Sequence, residues 1–311
     1  MDTLPEFPNF RIFTLDDTRW YYDFYLANGL NPYADINPEN LFVWLNINGD
    51  LGICKTGNTI VLRYTNILDS NHINVLPLAN NLDNSTVDTL TKYLIESDQP
   101  PELHEVPSVT CENLDKDRWV LEDDSDNFEY ILDTTEQTEL EGNDFSRQRR
   151  RINFFEREHP TNTIKIQYYP EIDEGIKNAL LHHIDTMPLN SNVESSKHNI
   201  VEPIAIKRNL EYSHFFHKKA LIIEIDDKIV SYAIISFLDD RTAAINHLKV
   251  DYSVQYIFQY SIYQLAKILK TYGINEMNIE QDLGIEGLRT FKQRLQPSRM
   301  LEKKTIRPRL Q

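Results

Sequence analysis

Glycine and cysteine are scarce in this chain, nine and two among 311 residues. Two thiols, Cys54 and Cys111, make neither a disulfide framework nor a metal site. The histidines add no ligand set, because His182 and His183 are adjacent on a predicted helix and face different ways. Long apolar runs are missing too. None approaches the roughly 18 residues that a membrane span needs. The longest, Ile229 to Leu238, is interrupted by Ser231 and Ser236 and reads as a buried strand. The opening MDTLPEF is acidic and carries a proline, so it is no signal peptide, and the expected compartment is the cytoplasm. Basic residues are rare in the first half. Residues 1–141 hold 7 Lys/Arg against 27 Asp/Glu, whereas residues 142–311 hold 25 against 21, within a net charge of −16. An acidic first half repels polyanions, so DNA is not an expected partner, and any RNA or anionic lipid contact belongs to the second half.

What is present suffices for two ordinary domains. The chain is 41% apolar and 11% aromatic, enough to fill full cores. Residues 11–30 read as a helix capped by Thr14 or Asp16, with Trp20, Tyr21, Phe24 and Tyr25 near helical spacing. Leu41 to Leu45 is an apolar cluster, helical or extended. Leu51–Cys54 and Thr59–Tyr64 form a hairpin around Gly57, and His72–Leu78 is a further strand. Ser85 caps a helix to about Ile95. Residues 100–126 are polar and read as loops and short elements, and Phe128–Leu132 as a strand.

The second half is more regular. Ser146–His159 is a helix stopped by Pro160. Residues 163–168 alternate as a strand, a helix runs from about Glu171 to Met187, residues 190–199 form a polar loop, and Glu202–Leu210 is a short helix. Three strands then meander through 220–225, 228–238 and 242–250. A helix spans 253–272 and ends at Gly273. A strand at 276–280, a helix at 284–295 and a strand at 299–306 complete the order expected of a GNAT-type (acetyltransferase-like) core.

Two stretches carry the chemistry. The first is Met277–Lys304, where a short strand ends in Glu280 and Asp282 and feeds a helix. Acids at the carboxyl end of a sheet strand stand where α/β sheets put ligands. The plain alternative is that Asp282 caps the helix and Glu280 is solvated. A GNAT-like sheet splays between its fourth and fifth strands, here 242–250 and 276–280, which would line a site with His247 and Lys249 on one side and Asn278, Glu280 and Asp282 on the other. Acyl transfer needs a base, oxyanion donors and a grip on the acyl carrier. Glu280 or Asp282 suits the base or a clamp on an α-ammonium, and Lys249 an oxyanion or carboxylate. His247 is open to a structural or a chemical role. The second stretch is the helix at 146–159, with four arginines in the five positions 147–151. It reads as an anion-binding surface or a solvated linker. Arg147, Arg150 and Arg151 share one face, which Phe154 continues, while Ile152 and Phe155 point elsewhere. From Arg289 to Arg309 eight Lys/Arg face one acid, Glu302.

Asn278, Glu280, Gln281, Asp282, Gly284, Glu286, Gly287, Leu288, Arg289 and Lys292 resemble the signature N-x-E-Q-D-x-G-x-E-G-L-R-x-x-K of the DUF2156 family. These are stand-alone relatives of the C-terminal domain of phosphatidylglycerol lysyltransferases. The arginine helix resembles the family's basic segment at Gly142, Phe145, Arg149, Ile152, Asn153 and Phe155. It departs from that segment at Ser146, Gln148 and Arg150, and Ile279 stands where the family usually has Arg. The resemblance implies an α+β fold of mixed sheets built as two tandem GNAT-like modules. The expected division is 1–140 for a degenerate first module, 141–162 for the basic connecting helix and 163–311 for the second module. It implies aminoacyl-tRNA as donor, with Arg149, Arg150, Arg151, Asn153, His247, Asn278, Arg289 and Lys292 binding substrate and Glu280, Asp282 and Lys249 in catalysis. The acceptor is an amine or hydroxyl of a small molecule or lipid head group. No cofactor is expected. Acetyl-CoA enzymes of this fold cradle the pyrophosphate on a Gly-rich loop before the long helix. Val250–Gln255 has no glycine there, and Asp251 repels phosphate. The rival readings are a CoA-dependent N-acyltransferase with a non-standard loop and a non-catalytic RNA- or metabolite-binding module.

Overall fold

The computed structural model describes residues 4–47, 49–65, 72–160, 163–186 and 197–309, with side chains left out for 185–186 and 197–200. The chain forms two compact units. Unit 1 comprises Met1–Glu129, Gln281–Ile285 and Leu301–Gln311, and unit 2 comprises Tyr130–Glu280 and Glu286–Met300. Each unit is thus discontinuous in sequence.

Unit 1 starts with β1 (Arg11–Ile12), α1 (Asp17–Ala27), the short α2 (Pro38–Asn40) and a π-helical turn over Leu41–Leu45. The first helix is shorter than its aromatic spacing suggests, because Arg11 and Ile12 are extended and pair with Ile53 and Gly52. Strands β2 (Gly52–Thr56), β3 (Thr59–Thr65) and β4 (Ile73–Leu78) complete an antiparallel sheet in the order β1-β2-β3-β4. Ile60, Val61 and Leu62 are all fully buried, so both faces of β3 are covered. Helix α3 (Asn84–Glu96) is capped by Asp83 rather than Ser85. The Asp83 carboxylate accepts from the Thr86 N–H at 2.8 Å.

Strands β5 (Leu103–Pro107) and β6 (Trp119–Asp123) arise where the sequence reads as loop. Their alternation is diluted by acids, and a distant segment makes them strands, as described below.

Unit 2 runs β7 (Glu129–Asp133), α4 (Thr134–Glu139), α5 (Ser146–Glu158), β8 (Ile164–Tyr169), α6 (Glu174–Thr186) and α7 (Lys197–Glu211). It continues through β9 (Lys219–Ile225), β10 (Lys228–Phe237), β11 (Thr242–Val250), α8 (Ile257–Thr271), β12 (Glu276–Asn278), α9 (Glu286–Gln293) and β13 (Arg299–Leu301). Of the expected polar loop at 190–199, residues 190–196 lie outside the described residues and 197–199 are helical. The seven-stranded sheet has the order β13-β7-β12-β11-β10-β9-β8. Strands β8 to β11 are antiparallel neighbours, and β12 lies parallel to β11. The β9–β10 turn is tight, with Asp226 and Asp227 at φ 50° and 60°.

One face of the sheet packs Ile223, Ala233 and Ile245 with Ile152 and Phe155 of α5 and Tyr260 and Leu265 of α8. Phe155 stacks on Tyr260 at 4.2 Å. The other face packs Ile222, Tyr232 and Ile234 with Leu180 of α6 and Ile206 and Leu210 of α7. The fold is mixed α+β and GNAT-like.

The last strand, β14 (Lys303–Pro308), belongs to unit 1 and lies between β5 and β6, antiparallel to both. The single final strand expected over 299–306 is therefore two strands in two sheets, broken at Glu302.

Candidate functional site

β12 pairs with β11 through Thr242↔Glu276, Ala243↔Met277 and Ala244↔Asn278. β11 runs on to Val250, while the chain after Asn278 turns aside. The Ile279 N–H donates to the Tyr130 carbonyl at 3.0 Å, and Glu280 adopts a left-handed φ of 59°. The sheet thus splays open past Ala244, at the carboxyl end of β12 and alongside the remainder of β11.

β11 carries a bulge beside this opening. Its pairing with β10 jumps from Ile234↔His247 to Ile235↔Ile245, so Asn246 is the extra residue. A bulge re-aims side chains. Here Asn246 reaches Ser236, and its neighbour His247 reaches Asn209 of α7.

Asn246 is held firmly. Its Oδ1 accepts from Lys218 Nζ at 3.0 Å and from Ser236 Oγ at 2.6 Å, and Lys218 also donates to Ser236 Oγ at 2.6 Å. Two donors on Oδ1 fix the amide orientation. Its NH2 group therefore points the other way, towards Glu280 Oε1 at 3.5 Å. Lys218 is fully buried.

The backbone under Glu280 is also secured. Its N–H donates to Asn278 Oδ1 at 2.8 Å, and Lys292 of α9 donates to the Ile279 carbonyl at 2.5 Å. Asn278 is fully buried and Lys292 nearly so. Arg289 is half-buried on the same helix.

Two expected residues of the opening are engaged with α7. The Asn209 side-chain amide and His247 Nε2 are hydrogen-bonded at 2.8 Å. Lys249 is ion-paired with Glu202 at 2.5 Å. Asp282, counted with unit 1, is fully buried. Its carboxylate accepts from the Gly284 N–H at 2.9 Å, and its carbonyl accepts from Ile285 N–H, so it shapes the turn ahead of α9.

The arginine helix divides by face. Arg149 donates to the carbonyls of Leu140 and Gly142, closing the end of α4. Arg150 is exposed and returns to its own helix at Ser146 O, and Asn153 is exposed. Arg147 and Arg151 instead line a cavity of about 200 Å³ with Arg294 and Phe291. Arg151 lies over the Tyr256 ring at 5.4 Å. Burial first, then the Arg147 guanidinium and more weakly Arg294, lowers the Arg151 pKa.

The family described as phosphatidylglycerol lysyltransferase, C-terminal, matches residues 37–306. The chain belongs to this family. Among solved structures it is similar to a conserved protein of unknown function from Bacteroides thetaiotaomicron, with TM-score 0.76 and 20% identity over 96% of this chain and 99% of that one. It is also similar to L-PGS from Bacillus licheniformis, with TM-score 0.53 and 15% identity over 84% and 85% of the two chains. A C-terminal domain (DUF2156) named for a lysylphosphatidylglycerol synthetase of Agrobacterium fabrum gives TM-score 0.55 and 10% identity over 93% and 92%. No curated protein matches. Family and fold together support a GNAT-like acyltransferase. Among the described residues no helix is long and apolar enough to cross a membrane.

Sequence reading missed Lys218, Ser236 and Asn246. Lys218-Lys219 resembles a solvated pair, although only Lys218 turns inward. The usable signal was polarity inside apolar strands: Ser236 within 229–238, and Asn246 within Ala243–Leu248.

Proposed function

We propose that this protein transfers an aminoacyl group from charged tRNA to an amine or hydroxyl acceptor, and that the reaction takes place where β11 and β12 splay apart. The observation that carries the proposal is the Glu280 carboxylate at the end of β12 facing the oriented amide of Asn246. Glu280 takes the acceptor's proton or grips the α-ammonium of the aminoacyl group. The Asn246 NH2 steadies the developing oxyanion. Lys218 and Ser236 act through Asn246 as positioning residues, and Asn278 and Lys292 set the backbone beneath Glu280. Lys249 supplies a second cation for which Glu202 competes. His247 and Asp282 are assigned to the scaffold, Asp282 as a turn former.

The donor is supported by the family, whose name is that of a lysyl transfer, and by the charge of the second half. The segment before α8 offers little to a pyrophosphate. The Ser253 N–H already donates to Asp251 Oδ1 at 2.9 Å, and Tyr256 at the helix entrance adopts φ 64°. An N–H spent on a carboxylate is unavailable to a phosphate.

The test is binding of charged against uncharged tRNA at two salt concentrations, followed by single-turnover transfer in Glu280→Gln. The expected result is salt-sensitive binding that prefers the charged form, and transfer reduced by about 10²-fold or more in the variant. No binding at low salt removes tRNA as the donor. A thermal shift with CoA instead transfers the site to a thioester donor.

A further inference from the structure

The cavity beside the arginine helix lies wholly in unit 2. Its charge is lopsided. Arg147, Arg151 and Arg294 line it against a single acid, Asp144. Three guanidiniums so placed repel one another unless an anion lies among them.

A second observation is independent of charge. Gln148 also lines the cavity and is only 5% exposed. Its amide orientation is fixed by a relay. The Leu295 carbonyl can only accept, so Gln137 presents Nε2 to it, at 2.6 Å, and Oε1 to Gln148 Nε2, at 2.8 Å. Gln148 Oε1 is left as a buried acceptor with no hydrogen-bond partner among the described residues. Such an atom is costly unless a donor meets it.

A ligand that matches this lining carries an anion of about two charges. A single carboxylate falls short of the charge, and a phosphodiester carries only one. Phe291 adds a fixed apolar wall, since its ring meets Phe258 at 4.3 Å and 78°. We infer that this cavity is a binding site for a phosphate monoester. Arg147, Arg151 and Arg294 hold the phosphate.

The site is distinct from the sheet opening, yet one helix serves both. Phe291 and Arg294 of the α9 region line the cavity, while Lys292 holds the Ile279 carbonyl beside Glu280. Binding here does not depend on which group the opening transfers, and a titration reads it alone.

The experiment is calorimetric titration of the full chain with adenosine 5′-monophosphate, glycerol 3-phosphate, inorganic phosphate and the methyl ester of adenosine monophosphate. Arg147→Gln and Arg294→Gln probe the site. Both residues are exposed, so the variants keep the fold. Arg157→Gln, on the exposed part of the same helix, controls for general charge. The expected result is saturable binding of the monoesters, weakened about tenfold by the methyl ester and by either cavity variant, and unchanged in the control. A preference for the nucleotide over glycerol 3-phosphate points to a nucleotide or RNA terminus as the source, and equal affinity points to a small phosphometabolite. The proposal is overturned by equal binding of the methyl ester, by equal loss in the Arg157 control, or by no saturable binding at millimolar ligand.

Discussion

Lys303 in unit 1 and Lys218 in unit 2 are both fully buried, but they keep different company. Lys303 is ion-paired with Asp35 and with Glu129, the latter at 3.1 Å, and Glu129 has no exposed side chain. Glu129 also accepts from the Ala34 N–H at 2.7 Å, and Gln281 donates to Asp35 at 3.0 Å. Burial alone lowers the Lys303 pKa, but Asp35, Glu129 and Glu105 outweigh it and the net shift is upward. Lys218 instead donates to a hydroxyl and to an amide oxygen, Ser236 and Asn246. The first arrangement neutralises carboxylates that would otherwise be stranded. The second orients a dipole towards an opening. Under the proposed function, a buried charge is a scaffold element in one unit and a positioning device in the other.

The comparison can be broken by matched substitutions. Lys303→Met leaves buried carboxylates uncompensated and is expected to cost about 3–5 kcal/mol in urea unfolding. Lys218→Met leaves Ser236 and Asn246 bonded to each other and is expected to cost about 1 kcal/mol, while transfer activity falls at least about tenfold. Equal costs would make both lysines scaffold elements. Asp17→Asn comes next. The Arg11 fork grips Asp17 at 2.7 Å twice, and Thr14 and Trp20 donate to it as well. Burial raises the Asp17 pKa, but these bonds outweigh it and hold it at about 2. Its contribution is present above the ordinary aspartate range and is lost as pH falls towards about 2. The substitution should cost about 2 kcal/mol at neutral pH, since Arg11 is partly exposed, and flatten the acid limb of the stability curve.

Asp35 has the opposite sign. Burial lifts its pKa well above normal, Lys303 opposes this, and Glu129 reinforces it. The smallest effect is expected for Arg149→Gln, which loosens the end of α4 by about 0.5–1 kcal/mol and leaves anion binding unchanged.

The meander over β9–β11 and helix α8 could be read from residue order, because local alternation and turn residues there agree with the tertiary result. The splay between β11 and β12 followed from the likeness of that order to a GNAT-like core. β5 and β6 could not be read so, since acid-rich segments become strands only when β14 arrives between them. The site was half legible. Glu280 and Asn278 stand at a strand end where acids attract notice. Asn246 depends on a one-residue bulge, and Lys218 on which of two adjacent lysines turns inward, and neither has a periodic signature. Helical spacing puts Arg147, Arg150 and Arg151 on one face, whereas in the fold Arg147 and Arg151 line a cavity with Arg294, Arg150 returns to Ser146 and Arg149 reaches a carbonyl pair.

β14 is the central strand of its sheet, and it carries Lys303. On a ribosome β5 and β6 emerge long before the strand that joins them, and Asp35 and Glu129 wait as long for their cation. Unit 1 therefore closes only once β14 has been made, although most of its residues come first. Its final closure is a late, non-local event of high contact order. The N-terminal half must pass through a period of unpaired strand edges and unmatched acids, and the strong negative charge of residues 1–141 helps keep such a nascent segment from associating with its neighbours.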